Sequence, residues 1–147
     1  MPSNLPDQKP APMTNSKLIL IGEDDLDDQE FLKEIFLSID ESFLVMLASN
    51  GPDVLSLLEE IEDGHLPCLI VLDYNMPGSN GAEILKELKN NRRYDSIPKI
   101  IWSTSRSDTY KDICMELGAN DYLVKPSNVN DLVDICRYML STCSISN

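Results

Sequence analysis

The sequence predicts an α/β domain built on a doubly wound parallel sheet of five strands and five helices. Three observations support this fold class: short and almost unbroken apolar runs, amphipathic stretches with helical spacing between them, and strict alternation of the two along the chain. Unbroken apolar runs are typical of strands that are covered on both faces. Right-handed crossovers between parallel strands then place helices on both sides of the sheet.

The predicted strands are the apolar runs in chain order. They are LILI at 18–21, FLVMLA at 43–48, LIVL at 69–72, KIIW at 99–102 and DYLV at 121–124. We expect them to pair in the flavodoxin-like order 2-1-3-4-5. Residues 1–16 hold four prolines and few large apolar residues, so they are predicted to form a disordered tail. The domain is predicted to span 17–143, with a second short tail at 144–147.

Each predicted helix is marked by an apolar stripe with a spacing of three to four residues. Start signals at Asn50, Gly51 and Pro52 introduce the second helix, and Gly118 ends the fourth. In chain order the stripes are Phe31, Leu32, Ile35, Phe36 and Ile39; Val54, Leu55, Leu58 and Ile61; Ile84, Leu85 and Leu88; Ile113, Cys114 and Leu117; and Leu132, Val133, Ile135, Cys136 and Met139.

The composition predicts one acidic domain. The chain has 147 residues, is 42% hydrophobic and carries a formal charge of -13, which disfavours binding to nucleic acids and anionic membranes. No apolar run approaches the roughly 18 residues of a membrane span, and no export signal begins the sequence, so a cytoplasmic location is expected. The four cysteines show no CxxC spacing and are predicted to be reduced; they are Cys68, Cys114, Cys136 and Cys143.

Polar residues with complementary chemistry follow four of the five predicted strands. Glu23 and Asp24 follow the first strand, Asp73 the third, Ser103 the fourth and Lys125 the fifth. Because parallel strands end at one edge of the sheet, we expect these side chains to converge. Two carboxylates about 4 Å apart repel by roughly 4 kcal/mol at an effective dielectric of 20. The lysine and a divalent cation, with Mg²⁺ favoured by oxygen ligands, would offset this repulsion and equip Asp73 to accept a phosphoryl group.

Four segments closely resemble the receiver domains of response regulators, in the same order and with similar separations: LILIGEDD, VLDYNMPGSNG, IPKIIWSTS and GANDYLVKP. The resemblance covers nearly all of 17–140. In the segments STSRSD and ANDYLVKP, the chain is similar to single-domain receivers that serve phytochrome-type histidine kinases. The resemblance implies that Asp73 is the phosphoacceptor, Ser103 the switch hydroxyl and Tyr122 the switch aromatic. Lys125 would be the conserved-type lysine, joined to Pro126 by a cis peptide. Mg²⁺ would be bound by Asp24, Asp73 and the backbone carbonyl of Asn75, with Glu23 acting through water.

The resemblance implies a stand-alone response regulator of a two-component phosphorelay. A histidine kinase or phosphotransfer protein would supply the phosphoryl group to Asp73, and a conformational change would signal to a downstream protein. The chain would be a switch rather than an enzyme, catalysing only its own phosphorylation and slow dephosphorylation. Binding to nucleic acid or membrane is not expected, and homodimer formation stays open.

Simpler interpretations stand beside these assignments. The acidic residues from Glu23 to Asp28 could cap the first helix, and Asp27 or Asp28 is expected to do so. Tyr122 could be an ordinary core residue, and Lys125 an ordinary turn lysine.

Two other functions compete with a phosphorylated switch. A degenerate receiver would act only as a binding module, although this chain retains the acceptor and its neighbours. A phosphatase of the haloacid dehalogenase type would need a second acid where Asn75 stands. The chain also departs from the commonest receiver pattern at Gly22, Asn80 and Ser103, where a β-branched residue, aspartate and threonine are more frequent.

Overall fold

The computed structural model describes residues 16–143 and contains one sheet of five parallel strands in the order β2-β1-β3-β4-β5. The predicted fold class and strand order are confirmed. The two predicted tails lie outside the described residues, apart from Ser16. The elements are β1 Leu18–Gly22, α1 Leu26–Ile39, β2 Leu44–Ala48, α2 Gly51–Glu60, β3 Leu69–Asp73, α3 Gly81–Lys89, β4 Lys99–Ser103, α4 Asp108–Glu116, β5 Asp121–Val124 and α5 Val129–Ser141, with single 3-10 turns at Asp63–His65 and Arg92–Tyr94.

Two apolar layers cover the sheet. Alternate residues of each strand point to opposite faces, and all residues of β3 and β4 are buried. One layer packs α2, α3 and α4 against the sheet, with Val54, Ile84 and Cys114 among its buried residues. The other layer packs α1 and α5 against the opposite face, with Phe36 and Met139 buried there. This two-sided burial explains why the strands read as unbroken apolar runs.

Each helix begins at a side-chain cap, which fixes where the preceding loop ends. Asp25 caps α1 by accepting the backbone N–H of Asp28 at 3.0 Å. The prediction that Asp27 or Asp28 caps this helix was therefore wrong, because the helix begins earlier than expected and Asp28 lies three positions inside it. Among residues 16–143, no helix is long and apolar enough to cross a lipid bilayer.

The apolar stripe of α1 is narrower than predicted. Leu32 and Phe36 are fully buried, whereas Phe31 is 50% exposed. Phe31 and Leu32 are adjacent in sequence and therefore about 100° apart around the helix, so both cannot face the sheet. Phe31 instead contributes to the surface between α1 and α5.

The cysteine prediction was wrong for one pair. Cys68, immediately before β3, is joined to Cys143, two residues after α5, by a disulfide with Cα atoms 5.0 Å apart. Cys114 and Cys136 are free and buried, as expected of reduced cysteines. The disulfide requires the end of α5 to lie beside the start of β3. Because the two cysteines are 75 residues apart in sequence, no local pattern predicts this contact.

Gly22 is required by close packing beneath the strand edge. A Cβ atom there would lie 2.8 Å from Val54 Cγ2, 3.0 Å from Leu72 Cδ2 and 3.3 Å from Met76 Sδ. We expect Gly22→Val to lower the free energy of unfolding by about 1 to 3 kcal/mol, because three methyl-sized groups must be displaced in a filled core. Urea denaturation would measure this loss.

The matched control is Gly64→Val, since nothing lies within 4 Å of a Cβ atom at Gly64. That substitution should change the stability by less than about 0.5 kcal/mol. Equal losses for the two variants would contradict the packing explanation for Gly22.

Candidate functional site

The predicted convergence of strand ends occurs at the carboxyl edge of the sheet. Glu23 directly follows β1 and has no exposed surface, while Asp73 ends β3 and is 5% exposed. Lys125 directly follows β5, and its backbone N–H donates to the carbonyl oxygen of Ser103 at 2.7 Å. Strand pairing thus brings together residues that lie about fifty and one hundred positions apart.

The ammonium group of Lys125 is the centre of this site. Its Nζ lies 2.7 Å from Glu23 Oε1, 2.9 Å from Asp28 Oδ2 and 3.2 Å from Asp73 Oδ2. An ammonium has three N–H donors, so three carboxylates can take up its full donor capacity. The same Nζ lies 4.6 Å from the centre of the Trp102 ring, within the range of a cation–π contact. We call Glu23, Asp28, Asp73 and Lys125 the lysine cluster.

The local electrostatics favour a cation. Burial and, to a lesser degree, the neighbouring Asp73 raise the pKa of Glu23 to about 8, against the opposing effects of Lys125 and the backbone N–H of Asp25. Burial alone would lower the pKa of Lys125, but the hydrogen bonds to Glu23 and Asp28 outweigh it and hold that pKa above its usual value. One ammonium therefore does not offset the acids around it.

Three carboxylates lie close enough together to hold a metal ion. Glu23, Asp24 and Asp73 each offer an oxygen, and these oxygens lie within 4.8 Å of one another. Carboxylate oxygens this close to one another can bind one divalent cation such as Mg²⁺. Asp24 is exposed, which leaves the site open to water and substrate. A donor set of carboxylate oxygens fits a hard divalent cation. Metal binding by the backbone carbonyl of Asn75 stays a prediction; the backbone N–H of Asn75 donates to Asp73 Oδ1 at 3.1 Å.

Ser103 and Tyr122 meet at one residue of the loop between β4 and α4. The fully buried Ser103 accepts the backbone N–H of Ser105 at its Oγ, at 3.1 Å. The hydroxyl of Tyr122 donates to the carbonyl oxygen of the same Ser105, at 2.9 Å. Tyr122 is 6% exposed, so its ring is a core residue as well. A displacement of this loop would change the hydrogen bonds of both side chains to Ser105.

The predicted cis peptide between Lys125 and Pro126 was wrong, because no cis peptide occurs in residues 16–143. A trans bond is favoured by about 0.5 to 1 kcal/mol even before proline. The side chain of Lys125 reaches all three carboxylates with the trans bond.

Three contributions to the site were missed from sequence. Asp28 was considered only as a helix cap, although its carboxylate binds Lys125. Trp102 was assigned only to a strand, yet it lies opposite Asp73 in the register of β3 and β4. Tyr74, next to Asp73, stacks on Tyr110 of α4 with ring centroids 4.5 Å apart. The position of Asp28, in the first turn of the helix that follows β1, was the only sequence signal for its role.

A family comparison agrees with this geometry. Residues 19–137 match the model of the response regulator receiver domain family. Among curated proteins, the chain is 37% identical over 122 residues to the transcriptional regulatory protein CpxR of Klebsiella pneumoniae, covering 83% of this chain and 48% of CpxR. It is 31% identical over 119 residues to response regulator Rcp1 of Synechocystis, covering 79% of this chain and 81% of Rcp1. The chain thus spans about half of CpxR but most of Rcp1.

Solved structures show the same similarity. The Mn²⁺-bound form of Rcp1 matches with a TM-score of 0.75 at 28% identity, covering 84% of this chain and 91% of that one. The phosphorylated cyanobacterial phytochrome response regulator RcpA matches with a TM-score of 0.79 at 26% identity, covering 90% of this chain and 99% of that one.

Proposed function

The chain belongs to the response regulator receiver domain family and is a signalling switch of a two-component system, and we propose that Asp73 is the residue that accepts the phosphoryl group. The observation that carries this proposal is the placement of Asp73 in both groups of the site. It shares the acidic group with Glu23 and Asp24, and it also contacts Lys125. This is the arrangement that phosphoryl transfer to a carboxylate needs.

The proposed reaction transfers phosphorus from a phosphohistidine of a kinase or phosphotransfer protein. A carboxylate oxygen of Asp73 attacks the phosphorus, the P–N bond breaks, and its electron pair stays on the imidazole nitrogen, which takes up a proton. Lys125 binds a phosphoryl oxygen and offsets its negative charge. Glu23, Asp24, Asp73 and the backbone carbonyl of Asn75 would hold Mg²⁺, directly or through water; when bound, Mg²⁺ neutralises charge on the phosphoryl oxygens.

The proposed output begins at Ser103. A phosphoryl group on Asp73 adds about 1.5 to 2 negative charges, and the Ser103 hydroxyl would turn from its bond with Ser105 to bind it. Tyr122 would follow, since its hydroxyl is bonded to the same loop residue. Tyr74 offers a second connection to α4 through its stacking on Tyr110. The result would be a changed surface on α4 and β5 for a downstream protein.

The approach to the site favours a protein as phosphoryl donor. A cavity of about 480 Å³ between α1 and the start of α5 is lined by residues that include Lys125, Phe31 and Val129. Phe31 is 50% exposed and Val129 is 65% exposed, so apolar surface adjoins Lys125. Such surface beside a polar site is typical of a protein contact. Stand-alone action, the lack of nucleic-acid binding and a cytoplasmic location remain predictions, and homodimer formation stays open.

Incubation with acetyl phosphate and Mg²⁺ tests the proposal. We expect intact mass spectrometry to show one added phosphoryl group, and peptide mapping to locate it on Asp73. EDTA should prevent the reaction. Absence of modification, together with no binding of beryllofluoride, would favour the binding-module alternative, whereas repeated turnover of small phosphate esters would favour the phosphatase.

A further inference from the structure

We propose that Asp28 is a positioning residue that holds the ammonium group of Lys125 in place for the phosphoryl group. This inference rests on the proposed function, because it assigns a role within the same reaction. It starts from a contact that neither capping nor metal binding explains. The Asp28 carboxylate lies 2.9 Å from Lys125 Nζ, closer than the 3.2 Å that separates Asp73 from the same atom.

Within residues 16–143, Asp28 differs from the other two partners of Lys125 because its carboxylate accepts a hydrogen bond from Lys125 alone. Glu23 and Asp73 belong to the group of oxygens that can surround a metal ion. Glu23 also accepts the backbone N–H of Asp25, and Asp73 accepts that of Asn75. A bound metal ion would draw charge from both carboxylates, and Asp73, once phosphorylated, would no longer be a free carboxylate. Asp28 then remains as the carboxylate dedicated to Lys125.

The backbone of Asp28 is held firmly enough to serve as an anchor. Its N–H is fixed by the carboxylate of Asp25, the cap of α1. The side chain of Asp28 is 31% exposed, whereas that of Lys125 is only 12% exposed. Helix α1 packs against α5, which begins four residues after Lys125. Asp28 therefore holds the ammonium group beside α1, on one face of the sheet, and restricts the rotation of the long Lys125 side chain.

A positioning role for Asp28 and simple charge repulsion lead to opposite changes in anion binding when Asp28 is replaced. Asp28 is an acid near a site for an anion, so removing its charge should strengthen anion binding if electrostatic repulsion were its only effect. If Asp28 positions Lys125, its loss should weaken the binding of a phosphoryl mimic, because the ammonium is then free to take other orientations. The direction of the change distinguishes the two roles.

The test compares Asp28→Ala and Asp28→Glu with wild type and with Asp27→Ala. Asp27 is the matched control, since it is an exposed acid in the same helical turn. Beryllofluoride affinity with Mg²⁺ and the rate of phosphorylation by acetyl phosphate would be measured for each protein. We expect Asp28→Ala to weaken both on the order of tenfold, Asp28→Glu to recover most of the loss, and Asp27→Ala to match wild type.

Trp102 supplies a readout that loss of stability alone would not change. It is the only tryptophan in the chain, and Lys125 Nζ lies over its ring. In the folded protein without metal or phosphoryl mimic, Asp28→Ala should alter the tryptophan emission because the ammonium moves, whereas Asp27→Ala should not. Circular dichroism would verify that the variants are folded.

The outcomes separate this inference from the proposed function. Failure of the wild-type protein to bind beryllofluoride or accept phosphate would overturn the proposed function and, with it, the role of Asp28. A functional wild type with equal or tighter beryllofluoride binding in Asp28→Ala would overturn the positioning role alone. Weaker binding, rescue by glutamate and a changed Trp102 signal would together support it.

Discussion

Replacing Asp73 by asparagine is expected to abolish phosphorylation by acetyl phosphate and, without metal, to raise the stability of the folded protein at pH 8. The chemical loss should be complete, because an amide oxygen is not a nucleophile for phosphorus at neutral pH. The gain in stability has a separate cause. Asp73 is one of the groups that raise the pKa of the buried Glu23, so it makes ionisation of that residue more costly.

The sign of the pH dependence follows from Glu23. In the unfolded chain its pKa is near 4.5, whereas in the folded protein it is about 8. Between these values the folded state retains a proton that the unfolded state has lost, so the wild-type stability falls as the pH rises from 4.5 to 8. Without the Asp73 charge the decline should be shallower. The variant should exceed wild type at pH 8 by about 1 to 2 kcal/mol, equivalent to roughly one pKa unit.

Mass spectrometry and urea denaturation in EDTA would measure the two effects, with Asp112→Asn as the control for loss of an exposed acid. Added Mg²⁺ should stabilise wild type more than Asp73→Asn, because the variant lacks one of the metal-binding carboxylates. Phosphorylation of the Asp73→Asn protein would show that another residue is the acceptor. A variant less stable than wild type at pH 8 would contradict the assigned charge repulsion.

The sheet was largely predictable from the sequence because its physical determinants are local. The runs LIVL and KIIW are buried on both faces, and each extends in the structure by one polar residue, Asp73 or Ser103. These two residues complete the strands because backbone hydrogen bonding continues to the carboxyl edge of the sheet, where polar side chains can be accommodated. The exposure of Phe31 was not predictable, because a wide apolar stripe does not specify which of its members faces the core.

The site was predictable only as far as strand ends determine it. Glu23, Asp73 and Lys125 follow strands directly, so strand pairing alone brings them together. Asp28 lies within a run of acids in which each member is equally suited to a helix N-terminus. Only the start of α1 at Leu26 determines which of these carboxylates reaches Lys125. The disulfide between Cys68 and Cys143 was missed for a similar reason, since it depends on the path of α5 across the sheet.

Lys125→Met is expected to reduce the rate of phosphorylation by acetyl phosphate at least about a hundredfold, since a fixed donor aimed at developing charge is typically worth that much. Methionine retains most of the apolar stem, so the change mainly removes the charge and three donors. The substitution leaves Glu23, Asp28 and Asp73 facing one another without their shared cation. We expect a loss of about 3 kcal/mol at pH 7, at the lower end for removing one partner of a buried ion pair, because Glu23 can retain a proton.

Lys99→Met is the matched control for this prediction. Lys99 is also buried, but it begins β4 at the opposite edge of the sheet, where its Nζ donates to the carbonyl oxygens of Tyr94 and Ile97. Its replacement should lower stability without slowing phosphorylation. Mg²⁺ should restore part of the stability of Lys125→Met and none of that of Lys99→Met, because only the first variant exposes uncompensated carboxylates to the metal. Equal phosphorylation rates for the two variants would show that Lys125 balances charge in the folded protein without taking part in phosphoryl transfer.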